Sequence, residues 1–304
     1  MRLFPILPRL ILAVSFFSPI FALALELSGE LVQGGMVIGK VSPGERVELM
    51  GRDIRVEDDG LFVFGLGRDA PPQLDVLTRN GSDKPQHHRF AVQQRTYQEQ
   101  RVDGVPQQTV TPPKEVLERI RREAALVANA RTGDDPRLDF LSGFRKPLEG
   151  PITGVYGSRR IYNGTPGNPH YGLDIAAPTG TNVFAPAPGV VKLAHKDMFY
   201  SGGTLIIDHG HGISSTFIHL SDVLAKEGQV VTPGDLIAKV GATGRATGPH
   251  LDWRINWFDV RLDPALVLKF FPGNALVPFP NVAATPPFPY TSPPGNSLPR
   301  GCDD

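Results

Sequence analysis

The sequence predicts a mainly β protein: an antiparallel sheet domain preceded by a small β-sandwich-like domain and a linker helix. Three observations predict it. Glycine and proline supply 33 and 30 of the 304 residues, about a fifth of the chain against roughly an eighth in ordinary domains, so turns are frequent and long helices few. Short apolar runs recur between glycine- and proline-containing turns. No long helical pattern separates the runs of the second half, which favours antiparallel pairing over a parallel sheet. A hydrophobic content of 40 % with 20 % charged residues is enough to build packed cores. The balance of 31 basic and 31 acidic residues excludes a bulk nucleic-acid binder, which carries a basic excess.

The elements follow in chain order. Residues 1–24 read as a signal peptide: Arg2 and Arg9, an apolar stretch from Leu10 to Ala22, then the small-x-small site Ala22-Leu23-Ala24. That stretch is too short to span a bilayer, which takes about 20 residues, so an exported chain without a stable membrane span is expected. Residues 25–95 form the small β-sandwich-like domain. Its runs Gly29–Gly39, Val47–Leu49 and Gly60–Gly65 are punctuated by Ser42-Pro43-Gly44 and Asp58-Asp59-Gly60. Residues 96–142 are a linker whose stripe Val116, Leu117, Ile120, Ala124, Val127 and Ala128 predicts an amphipathic helix over 114–131. Residues 143–271 are the second β domain. Strands are expected near 182–185, 189–193, 204–208, 215–219, 236–240 and 251–257. Residues 272–304 are a proline-rich, polyproline-like or disordered tail.

The one cysteine, Cys302, rules out a disulfide framework and a thiolate metal site, so a metal would need His, Asp or Glu. Six of the eight histidines fall between residues 170 and 250. His170 and Asp174 are four apart, about 13 Å on a straight strand at about 3.3 Å per residue. Sharing one cation therefore demands a sharp bend, which Gly172 tolerates. His250 and Asp252 are two apart on a predicted strand and share a face. His219 ends an apolar strand. His195, His209 and His211 lie beside turns or glycines and read as structural or exposed. His87 and His88, adjacent on a strand, point opposite ways and read as a solvent-exposed pair. Taken singly, each of these patterns is also what a satisfied structural histidine or an exposed polar face would show.

Together they carry a resemblance. His170-x-x-x-Asp174, Ala176-Ala177-Pro178-Thr179-Gly180-Thr181, Ala185-Pro186-Ala187-Pro188-Gly189-Val190-Val191, Gly210-His211-Gly212, Ile218-His219-Leu220 and the run Gly241 to His250 follow one another in order. This order over residues 145–270 is similar to the lysostaphin-type (LytM-like) zinc metalloendopeptidases. The resemblance implies a compact antiparallel sheet with Zn(2+) on the floor of a groove. His170 and Asp174 would be metal ligands, His219 and His250 non-ligand catalytic histidines. The third ligand position, a histidine in the family, is Asp252 here. Carboxylate oxygen binds zinc at about the same 2.0–2.2 Å as imidazole nitrogen, so a His-Asp-Asp set with an open fourth position is expected. Two carboxylates neutralise a dication, and this predicts weaker polarisation of a carbonyl and weaker metal affinity. The implied function is zinc-dependent hydrolysis of peptide bonds in peptidoglycan stems or cross-links, in the periplasm of a diderm bacterium or after secretion. The implied partners are peptidoglycan peptides, with an envelope protein as a further candidate and no nucleic acid. The alternative is a catalytically degenerate peptidoglycan-binding protein, or an activator of another cell-wall hydrolase.

Overall fold

The computed structural model describes residues 25–273. The expected signal segment 1–24 and nearly all of the tail 272–304 lie outside them. The chain is mainly β, and its sheets are antiparallel apart from one parallel pair in a small three-stranded sheet. Seven strands come first: β1 (Glu26–Ser28), β2 (Met36–Lys40), β3 (Glu45–Leu49), β4 (Arg52–Ile54), β5 (Leu61–Gly65), β6 (Gln73–Asn80) and β7 (Gln86–Ala91). They make a three-stranded sheet, β1-β2-β5, and a four-stranded sheet, β4-β3-β6-β7. Period-two burial shows on β6, where Leu74, Val76 and Thr78 are buried while Gln73 and Asp75 are exposed. On β5 every residue is buried, as a strand covered on both faces must be.

Next come β8 (Glu99–Val102) and α1 (Leu117–Asn129), with a 3-10 turn at Lys114–Val116 before the helix. The α-helix is thus shorter than the apolar stripe suggests. Its end lays Val127 and Ala130 on Leu193, Met198 and Ile206. Glu123, paired with Arg119 four residues earlier, also accepts from the Phe199 backbone N–H at 2.7 Å.

The remaining strands are β9 (Ile152–Gly154), β10 (Arg159–Tyr162), β11 (Thr165–Pro166), β12 (Leu173–Ala176), β13 (Asn182–Phe184), β14 (Gly189–Met198), β15 (Gly202–Asp208), β16 (Ile213–Val223), β17 (Val230–Val231), β18 (Leu236–Val240), β19 (His250–Trp257) and β20 (Val260–Leu262). Their large sheet runs β17-β14-β15-β16-β19-β12-β9, with β13, β18 and β20 paired beside it. β10 and β11 form a hairpin that β8 joins in parallel. A short helix, α2 (Pro264–Phe270), closes the fold. Asp263 caps it by accepting from the Ala265 N–H at 2.9 Å, and Pro264 sits where no N–H is needed.

One apolar core runs through both β regions, from Phe62 and Phe64 to Trp253, Trp257 and Leu262. Polar ties cross the same boundary: Arg95 to Asp263 at 2.8 Å, Arg68 Nε to the Gly157 carbonyl at 2.8 Å, and Arg55 to Asp134 at 2.9 Å. Burial of this apolar area, at about 25 cal/mol per Å2, is what holds the large sheet rigid under the site.

Candidate metal centre

In the β12–β19 ladder Asp174 lies opposite Asp252, so both carboxylates project from one face of adjacent strands. His170 lies just before β12. Its N–H donates to Ser158 at 2.8 Å and its carbonyl accepts from Gly157 at 2.7 Å, which anchors it to the neighbouring loop. His170 Nε2 is 3.0 Å from Asp174 Oδ1, and His170 Nδ1 is 3.9 Å from Asp252 Oδ2. One donor atom from each of the three residues falls within 4.8 Å of the others, and all three side chains are buried.

Two glycines make room for the carboxylates. A Cβ on Gly172 would sit 2.0 Å from Asp252 Oδ1 and 2.9 Å from Arg254 Cγ. A Cβ on Gly154 would sit 2.0 Å from Asp174 Oδ2 and 2.7 Å from Arg160 Nη2. Gly172 is not in the left-handed region, so space, rather than a bend only glycine could adopt, is what this position requires.

The donor set fits a divalent cation. His170 Nε2 and Asp174 Oδ1 are both buried and without a hydrogen-bond partner, although they are 3.0 Å apart. Two buried polar atoms turned toward each other with no other partner are a place where a shared cation satisfies both. The outer oxygens are satisfied. Asp174 Oδ2 accepts from Arg160 Nη2 at 2.8 Å. Asp252 takes a two-pronged contact, Arg254 Nε to Oδ1 at 3.0 Å and Arg254 Nη2 to Oδ2 at 2.6 Å. Burial alone would raise the Asp252 carboxyl, but Arg254 and His170 outweigh it and hold it well below the usual carboxylate range. For Asp174, burial and the Asp252 charge push upward, and His170 with Arg160 brings it below its ordinary value.

His219 and His250 stand beside this set, with ring centroids 4.9 Å apart. His250 shares the Asp252 face by strand periodicity. His219 does not, because its neighbour Ile218 is the residue opposite Asp252. A left-handed backbone at His219, φ +66°, breaks the alternation and re-aims the ring. His219 Nδ1 meets the Thr243 carbonyl at 2.8 Å, and His250 Nδ1 meets the Gly248 carbonyl at 2.9 Å. A carbonyl only accepts, so each Nδ1 carries a proton, and it is the Nε2 atom that is left to exchange one. Burial, helped by the neighbouring His250, pushes the His219 pKa down to about 4 despite the opposing Asp252 charge.

The other histidines lie elsewhere. His88 accepts or donates to Thr78 Oγ1 at 2.9 Å, and His87 is exposed. His195 is half-buried next to α1. His209 and His211 are both buried, His209 between the Pro188 carbonyl and Ser215 Oγ, His211 2.9 Å from Glu57 of the first β domain. The sequence reading missed Arg160, Arg254, Gly154 and Arg131. Of these Arg254 had a signal, two residues after Asp252 on the same strand face. Arg131 leaves the end of α1 and donates from Nη2 to Thr216 Oγ1 at 2.8 Å. It is buried with no carboxylate partner among the described residues, and burial, with Arg261 and Arg254 nearby, pushes its pKa well down.

The profile of peptidase family M23 matches residues 168–264, the stretch that holds His170, Asp174, His219, His250 and Asp252. A solved structure of a Pseudomonas aeruginosa protein assigned to peptidase M23 superposes with a TM-score of 0.62 at 32 % identity, covering 80 % of this chain and 97 % of that one. The chain belongs to peptidase family M23. Among curated relatives, the peptidoglycan DD-endopeptidase ShyB of Vibrio cholerae is 38 % identical over 122 residues, 40 % of this chain and 26 % of the relative. The DD-carboxypeptidase/endopeptidase Mpg of Neisseria meningitidis is 44 % identical over 89 residues, 29 % of this chain and 20 % of the relative. The matched part of the chain spans about a quarter or less of the length of these curated relatives.

Proposed function

We propose that the chain is a zinc-dependent endopeptidase that hydrolyses peptide bonds in peptidoglycan stems or cross-links, with residues 143–271 as its catalytic domain. The observation that carries the reading is the convergence of His170, Asp174 and Asp252 within 4.8 Å beside a pair of histidines whose acceptor nitrogens are free of backbone partners. The curated relatives named as peptidoglycan endopeptidases support the substrate class. Residues 1–24, read as a signal peptide, would place the protein in the periplasm.

In this reading His170, Asp174 and Asp252 hold the zinc ion. Bound there, zinc supplies Lewis acidity toward a carbonyl and toward water. The chain supplies proton handling. His219 and His250 are held by the Thr243 and Gly248 carbonyls with Nε2 available, so a proton taken from attacking water is accepted at Nε2 and returned to the leaving amine from the same atom. The low basicity of His219 keeps it neutral, and so able to accept, at neutral pH. No glutamate base of an HExxH motif is present in the sequence, which leaves this work to the histidines. The test is to incubate the purified chain with peptidoglycan, with and without chelator, and to identify released muropeptides by mass spectrometry. Chelator-sensitive release is expected. A metal-loaded protein that binds the sacculus and releases nothing would overturn the reading.

A further inference from the structure

Both carboxylates of the proposed ligand set have an arginine behind them. Arg160 donates to Asp174 from Nη2 at 2.8 Å, and Arg254 grips both oxygens of Asp252 at 3.0 and 2.6 Å. Arg160 and Asp174 are each less than a tenth exposed, and so is Asp252, while Arg254 is about a quarter exposed. At such burial these pairs are weakly screened, and each arginine charge is felt at the cation position. The placement of the carboxylates does not rest on the arginines alone. The β12–β19 register sets Asp174 and Asp252 side by side, and the bare Cα atoms of Gly154 and Gly172 leave each carboxylate a fitted space. What the arginines add is charge.

The consequence follows from counting. Two aspartates, two arginines and a neutral imidazole sum to zero, so a dication held there keeps its full charge. Without the arginines the same ligands would cancel it. This reverses the expectation that a second carboxylate weakens the polarising power of the site, and it assigns any loss of affinity to the arginines and not to the carboxylate, whose added negative charge by itself favours the cation. We propose that Arg254, together with Arg160, is a positioning residue of a charge-compensating kind: it offsets the extra negative charge brought by Asp252, so that the bound cation remains a strong Lewis acid at the cost of affinity. The inference rests on the reading of His170, Asp174 and Asp252 as the metal ligands.

The sign of this effect separates it from a structural role. A residue that merely holds Asp252 in place should weaken cation binding when removed. A charge-compensating residue should strengthen it, because the ligand set becomes more anionic. The experiment measures the zinc dissociation constant of the full chain by competition with a chromogenic chelator at pH 7.5. The variants are Arg254→Met, Arg254→Lys and Arg160→Met, each checked by circular dichroism. Arg254→Met is expected to bind zinc tenfold or more tightly than the native chain, and Arg160→Met to move the same way. Arg254→Lys keeps the charge and should stay within about threefold of the native value. Equal or weaker binding by Arg254→Met overturns the proposal. If that variant does not fold, Arg160→Met decides on the same criterion. Failure of the native chain to bind zinc at all sinks the metal reading instead, so the two failures are distinguishable.

Discussion

Replacing Gly172 with alanine should disable the proposed metal centre without changing any of its proposed ligands, His170, Asp174 and Asp252. The added Cβ would lie 2.0 Å from Asp252 Oδ1, whereas real Cβ atoms essentially never come closer than 3.0 Å to such an atom. The Asp252 carboxylate, or the strand that carries it, must therefore move by at least about 1 Å. Metal–ligand distances tolerate about 0.2 Å. Arg254 is no escape route, since its Cγ would also be only 2.9 Å from the new methyl. The expected result is a loss of zinc affinity of about 10–100-fold, the range seen when groups that orient a ligand are removed. The assay is chelator competition on the purified chain, with a melting curve as the check on folding. Gly248→Ala is the control: nothing lies within 4 Å of its Cβ position, though Gly248 sits two residues from His250, and its zinc affinity should be unchanged. Native affinity in a folded Gly172→Ala protein would refute the claim that this bare Cα makes the space for the third ligand.

Other outcomes are expected from the same geometry. His219→Ala and His250→Ala should each retain zinc within about threefold yet lose about 10^2–10^4 in muropeptide release, read from metal content and mass spectrometry on one preparation. Because His219 adopts φ +66°, His219→Gly should be more stable to urea than His219→Ala, by about 1 kcal/mol. His209 is fully buried and its pKa is pushed down from 6.5 to about 4 by burial. The unfolded chain then binds the extra proton between those values, so this contribution to stability is complete above pH 6.5 and lost as the pH falls toward 4. By linkage it is worth about 3 kcal/mol. Urea titrations from pH 7.5 to 4.5 should therefore show a steeper loss for the native chain than for His209→Gln, and parallel curves would contradict the assignment. Arg131→Met removes a buried cation that has no carboxylate partner among the described residues, and it should raise the melting temperature rather than lower it.

Much of the architecture was legible in the residue pattern because it rests on local rules. Alternation on the 251–257 run, the unbroken apolar stretch within 204–208, and turn residues between runs are readable one strand at a time. Strands form at both. The His250–Asp252 face was legible for the same reason. The HxxxD pair was harder. Spacing alone sets His170 and Asp174 too far apart on a straight strand, and the structure resolves this by leaving His170 outside β12, bonded to Ser158 and Gly157. What the sequence could not display is non-local. Arg160 reaches Asp174 from another strand, and Gly154 backs it from a third. His219 was read as a strand-end residue, and its rotation into the site depends on a backbone conformation that no periodicity encodes.

These non-local features fall where the chain departs from what its local pattern favours. A histidine is held in a left-handed conformation, an arrangement that costs about 1–3 kcal/mol and survives only when surrounding structure imposes it. Here that structure is identifiable: the β16 ladder fixes Ile218 opposite Asp252, and the Thr243 carbonyl holds the far side of the ring. Two polar atoms, His170 Nε2 and Asp174 Oδ1, are buried facing each other with no other hydrogen-bond partner. Two buried aspartates sit side by side on adjacent strands, offset by Arg160, Arg254 and His170. Packing alone selects for none of the three, and a sheet built for stability would replace each with an apolar pair. That all three fall on the side chains gathered at His170, Asp174, His219 and Asp252, over a large apolar core, argues that the core offsets the strain of one small site, as the proposed cation chemistry would require.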